Sequence, residues 1–121
     1  MASHYPIRNF TRVRFNADVS ISDSYRTYTG ESVNICLKGL QLKSNATLPM
    51  EIPLQIMVYP EAQPSFSLTG KIVWSRDNGF GIEITNMPLE SFSTIREIVT
   101  KRSDFPEFVT NEVYRVVGCL G

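Results

Sequence analysis

The chain has 121 residues, 42% hydrophobic and 20% charged, with 7 Gly and 7 Pro, the balance of a single globular domain rather than a disordered or fibrous chain. Basic and acidic residues cancel at 12 each, so no global charge draws the protein to a nucleic-acid polymer. No stretch reaches the roughly 18 uncharged apolar residues of a membrane span, the N-terminus has no apolar signal region, and Cys36 and Cys119 are too few for a disulfide framework and not in metal-ligand spacing, so the expected home is a reducing cytoplasm.

Charge is nevertheless uneven along the chain. Arg8, Arg12 and Arg14 all precede the first acidic residue, Asp18, a local cationic cluster that suits a small anionic ligand better than a long polyanion. The competing explanation is a solvated basic end. Directly after it, Val13, Phe15, Ala17, Val19 and Ile21 alternate with Arg14, Asn16, Asp18 and Ser20, which predicts a half-buried strand from Val13 to Ile21. A second β-favouring stretch runs from Tyr25 to Leu37 with an interruption at Gly30, and a third, Leu40 to Leu42, follows a tight turn marked by Gly39. Leu54, Ile56 and Val58 form a fourth between Pro53 and Pro60. Phe66, Leu68, Ile72 and Trp74 form a fifth, whose shared parity places Trp74 in the core. Asp77-Asn78-Gly79 carries hairpin-turn chemistry, with Asn78 and Gly79 as the residues that accept positive φ cheaply, and Phe80, Ile82 and Ile84 make the sixth strand.

Helical spacing appears only afterwards. Leu89, Phe92, Ile95, Ile98 and Val99 recur every three or four residues behind Pro88, predicting one apolar helical stripe against the strands over 87–102. A second helix over 104–117 is signalled by the capping-box spacing of Asp104 and Glu107, by Pro106 in the first turn and by apolar recurrence at Phe108/Val109, Val113 and Val116/Val117, although the last five residues also favour a strand. Residues 1–121 are thus read as one domain: an arm over 1–12, an antiparallel barrel or sandwich over 13–86, and these C-terminal elements.

Two short signals carry the chemistry. Arg8-x-x-x-Arg12 lies just before the first strand, and Asn34-x-Cys36-x-x-Gly39 closes a strand-to-strand turn. Together with Val73-Trp74 and Gly79-Phe80-Gly81-Ile82-Glu83, they resemble the PilZ family of bacterial cyclic di-GMP receptors, whose pattern is R-x-x-x-R followed by [D/N]-x-[S/A]-x-x-G. The resemblance extends over residues 7 to 102. It implies an all-β fold, a six-stranded antiparallel barrel with a C-terminal helix, and a surface site for cyclic di-GMP formed by Arg8, Arg12, Asn34, Cys36 and Gly39, with Ile7 and Arg14 as lesser candidates. It further implies a receptor or adaptor that changes conformation on binding and regulates a protein partner in motility, exopolysaccharide or biofilm output. No cofactor, metal, membrane or nucleic-acid polymer is called for.

The side chains suit that ligand on their own terms. A guanidinium forks onto phosphate oxygens or onto guanine O6 and N7, which an ammonium does not. Four extended residues span roughly 13 Å, so both arginines clasp one compact ligand only if the arm curls. Asn34 offers both an acceptor and donors, and Gly39 keeps a Cβ out of the way. Cys36 stands where the family has Ser or Ala; a thiol is the weaker donor, so lower affinity is expected, and the residue is read as a small buried side chain rather than a reactive one. Ile7, where relatives carrying an extra arginine bind an intercalated ligand pair, points to a single bound ligand. His4, in the arm, and Arg76, at a strand end, are weaker features. The alternative is a PilZ-like interaction domain that works without ligand, for which the apolar segment Phe108 to Val117 would provide a homodimer or partner surface. An enzyme is not expected: the single histidine is His4, and no general base, nucleophile motif or carboxylate pair is held on a rigid element.

Overall fold

A computed structural model of the chain describes residues 10–120. Seven strands are present: β1 (Val13–Arg14), β2 (Asp18–Ser22), β3 (Thr27–Cys36), β4 (Gly39–Lys43), β5 (Leu54–Tyr59), β6 (Phe66–Arg76) and β7 (Gly79–Asn86). They pair antiparallel in the order β1-β3-β2-β5-β6-β7-β4, and the further pairing of β4 with β3 closes β2 to β7 into a six-stranded barrel. Closure removes the open sheet edges that a curled sheet of this size would otherwise expose.

The expected first strand is present in two parts. Its inward face is as read, with Val13, Phe15, Val19 and Ile21 buried, but the ladder breaks over residues 15–17, where β3 carries an irregularity between Ser32 and Asn34. Backbone groups still pair across the break, from Phe15 N–H to the Val33 carbonyl and from Ser32 N–H to the Ala17 carbonyl, and the buried Ser32 hydroxyl donates to the Phe15 carbonyl at 2.7 Å. Gly30 does not interrupt β3. It permits close approach, since a Cβ there would lie 2.5 Å from the Lys43 carbonyl oxygen. The β3–β4 turn is made by Leu37 and Lys38, with Gly39 already in β4 and not at positive φ. In the β6–β7 hairpin the positive φ, 56°, falls on Asp77 rather than on Asn78 or Gly79; an aspartate tolerates it because its short side chain bonds locally.

Helix α1 (Leu89–Arg102) lies against the barrel through Phe92, Ile95, Ile98 and Val99, all in the one core cluster. Leu89, the first residue of the predicted stripe, is 63% exposed, and the buried face of the helix begins at Ser91 and Phe92. The second helix is shorter than expected: α2 spans Pro106–Glu112 and tightens into a 3-10 segment, Val113–Cys119, where three valines and Gly118 weaken α propensity. Its N-cap is Phe105, not Asp104, and the expected capping box does not form; the Phe105 N–H is taken by the Ser103 hydroxyl instead. Val109 and Val116 join the core, and the chain end returns to the barrel through a Met87 N–H to Cys119 carbonyl bond. No helix among the described residues is long and apolar enough to cross a membrane.

The packing of α1 predicts unequal costs along one helix. Ile98→Ala empties a fully buried site and should lose about 2–5 kcal/mol, whereas Leu89→Ala should stay within about 0.5 kcal/mol, as read by urea unfolding; equal losses would mean that α1 does not pack through this face.

Candidate functional site

Strand register assembles the site from residues far apart in sequence. Arg14 of β1 pairs with Asn34 of β3, Asn34 with Gln41 of β4, Gln41 with Gly81 of β7, and Gly81 with Trp74 of β6, a single row across the outer wall of the barrel. One step along, Cys36 pairs with Gly39 and Gly39 with Glu83, and continuing the β1–β3 register brings Arg12 opposite Cys36. Between the two rows lies a shallow recess lined by Arg12, Asn34, Cys36, Gly39, Leu40, Gln41, Trp74 and Gly81. Four of the five principal residues singled out in the sequence therefore meet on one surface. Arg8, Ile7 and His4 lie outside the described residues.

Two register slips aim the recess side chains outward. In β3, residues 28, 30 and 32 face inward until the irregularity between Ser32 and Asn34, after which Ile35 takes the inward place and Asn34 turns out. In β6, Phe66, Leu68, Gly70 and Ile72 face the core until a slip between Ile72 and Trp74 puts the indole on the outside. Trp74 is thus a wall of the recess and not the core residue that its parity indicated. The signal that identifies it is the Gly79-Phe80-Gly81 sequence on the paired strand: Phe80 fills the core, and the two glycines leave the outer face bare. A Cβ on Gly81 would overlap indole Nε1 and Cδ1, so the ring lies directly on that backbone.

The polar groups are held in place. The Asn34 amide nitrogen donates to Gln41 Oε1 at 2.7 Å, which fixes the orientation of the amide. The Cys36 sulfur receives the N–H groups of Lys38 and Gly39, taking the position that a serine hydroxyl would take in such a turn. Burial pushes the thiol up from its ordinary value of 9.0, those N–H groups and the Arg12 charge pull it back, and the Glu112 charge adds to the rise. The thiol is therefore protonated at neutral pH. Lys38 ties the turn to the barrel, its Nζ donating to the Ile84 carbonyl at 3.1 Å while its own carbonyl accepts from Ile84 N–H.

Arg14 is exposed and does not line the recess; its carbonyl accepts a bond from Arg102 at 3.0 Å, joining β1 to the end of α1. Arg76 is exposed at the far end of β6, by the hairpin. A larger open groove lies elsewhere, among Asp18, Ser20, Thr29, Glu31, Lys43 and Tyr59. With two carboxylates against one lysine, it is the poorer place for an anion than the recess under Arg12.

A family model described as PilZ domain matches residues 6–101. Among solved structures, the Bacillus subtilis inhibitor of motility MotI/DgrA superposes with a TM-score of 0.66 at 13% identity over 78% of this chain and 50% of its own. The PilZ domain of Escherichia coli YcgR with c-di-GMP gives 0.64 at 13% identity over 91% and 98%, and the PilZ domain of CeSA from a cellulose-synthesizing bacterium gives 0.59 at 16% over 74% and 95%. The chain thus spans half the length of the MotI/DgrA structure. No curated protein matches the sequence. At these identities the structural likeness establishes the barrel architecture, and the family match covers most of the chain.

Because the protein has a single tryptophan, its fluorescence reports this recess alone. Gly81→Ala should drive the indole off β7, shifting emission to the red and raising acrylamide quenching while far-UV circular dichroism is retained. An unchanged emission spectrum would contradict the packing of Trp74 on Gly81.

Proposed function

The chain belongs to the PilZ domain family, and from that premise we propose that it is a receptor for cyclic di-GMP, which it binds over the recess between Arg12 and Trp74. The observation that carries this reading is the convergence on one surface of a guanidinium, an oriented amide, a small buried side chain at a tight turn and an indole face. Cyclic di-GMP has two phosphates and two guanines. A guanidinium forks onto either group, an amide reads a base edge, and an indole face stacks on a base for about 1–3 kcal/mol. The net charge of zero fits a ligand of this size, which needs local cations and not a basic protein.

The response we propose is mechanical. The segment that carries Arg12 leads straight into β1, so gripping a phosphate there would bear on the barrel at β1 and change the surface offered to a protein partner. The partner surface would include the aromatic face of the C-terminal elements, where Phe105 and Phe108 are exposed with ring centroids 5.6 Å apart. A bound nucleotide acting as a signal requires no general base or nucleophile, and a Cys36 thiol kept protonated by burial is poorly suited to be one. We therefore read the protein as a non-enzymatic receptor that needs no cofactor or metal.

Titration with cyclic di-GMP followed by Trp74 fluorescence tests the reading. Wild type should show saturable quenching, and Arg12→Ala, which removes charged hydrogen bonds, should bind roughly 10- to 100-fold more weakly. Absence of saturable binding by wild type at tens of micromolar (about −6 kcal/mol) would sink the receptor reading and leave a ligand-independent interaction domain in its place.

A further inference from the structure

The arm is gripped from the other end of the chain. Thr11, next to Arg12, donates its backbone N–H to both carboxylate oxygens of Glu112, at 2.9 and 3.0 Å, and its hydroxyl to Oε2 at 2.5 Å. The neighbouring Arg115 lays its guanidinium 4.3 Å from the centroid of the Phe10 ring. On the opposite side of the recess, Lys38 of the β3–β4 turn donates to the Cys119 sulfur at the end of the same segment. α2 and the 3-10 segment are thus fastened to both motifs of the candidate site, the arm and the turn.

Glu112 is only 6% exposed, and a carboxylate withdrawn from water to that extent is retained where strong donors hold it. An N–H and an O–H converging on two carboxylate oxygens are the donor set that the edge of a phosphate would also use. A carboxylate and a phosphodiester cannot both occupy these donors, because like charges at such separation repel and each needs the same hydrogens.

We propose that Glu112 is an internal anion that holds the donors beside Arg12 when no nucleotide is bound, and that a phosphate of the ligand displaces it and releases the segment Pro106–Cys119. The proposal rests on the reading of this face as a nucleotide site. The Cys36 thiol, which lines the recess, feels Arg12 and Glu112 with opposite sign. The coupling is reciprocal: whatever free energy holds the segment down is subtracted from ligand binding, and neutralising Glu112 returns it. The released segment carries the exposed Phe108 and Tyr114 and begins directly after the exposed Phe105, so nucleotide binding would change how this aromatic surface is presented.

Glu112→Gln keeps the shape and one acceptor oxygen but removes the charge. Cyclic di-GMP should bind to it at least about five-fold more tightly than to wild type, the lower end of ordinary coupling between sites. In wild type, ligand should increase amide hydrogen exchange across residues 106–119. Arg115→Ala, which loosens the same segment without touching the carboxylate, should tighten binding in the same direction and serves if Glu112→Gln does not fold. Equal or weaker binding by both variants, with wild type still binding and residues 106–119 still protected, would overturn this inference alone. Loss of binding by wild type itself would overturn the receptor reading, and this inference with it.

Discussion

Two slips of one residue in strand register are the constraint on which the site depends. A strand of period two that buries one face sends every second side chain inward, so a regular β3 would bury Asn34 and a regular β6 would bury Trp74. The irregularities between Ser32 and Asn34 and between Ile72 and Trp74 reverse that parity midway along each strand. The core is kept on both sides of each slip, by Ile35 and Leu37 beyond the first and by Ile72 before the second, while one wall of the barrel gains an amide and an indole. The Ser32 hydroxyl stabilises the first slip by satisfying the Phe15 carbonyl where the ladder breaks. Gly81 makes room for the result of the second.

With the wall so arranged, the candidate site and the C-terminal segment share the same few elements. Arg12 stands at the junction of the arm and β1, Cys36 and Gly39 bracket the β3–β4 turn, and both elements are held by the C-terminal segment, through Glu112 on one side and Cys119 on the other. A ligand seated between arm and turn would therefore bear on all three at once. The Cys36 sulfur takes the N–H groups of Lys38 and Gly39 in its own turn, a structural task that a thiol performs in place of the family's Ser or Ala.

Much of this is legible in the amino-acid sequence wherever a local period is kept. Val13 to Ile21, Leu54 to Val58 and Phe80 to Ile84 alternate without fault and lie as that alternation requires, and the stripe from Phe92 to Val99 packs as a helix face. Legibility fails where the period changes. Trp74 has the parity of Ile72, and nothing within β6 announces the slip; the information resides in the paired glycines of β7, which only a cross-strand comparison reveals. The capping-box spacing of Asp104 and Glu107 was outweighed by Pro106, which starts the helix one residue beyond Phe105. Glu112 could not be identified from any local pattern, because its partner Thr11 is 101 residues away and the pair exists only once the barrel is closed.

The claim that one wall of the barrel, turned outward by these two slips, receives the nucleotide is tested most directly by an amide-resolved NMR titration with cyclic di-GMP. Shift changes should concentrate at Thr11 to Arg14, Asn34 to Gln41, Gly79 to Gly81 and the Trp74 indole N–H, with β5 nearly silent. Changes centred on the groove of Asp18, Thr29, Glu31 and Tyr59, with the Trp74 indole unmoved, would contradict it.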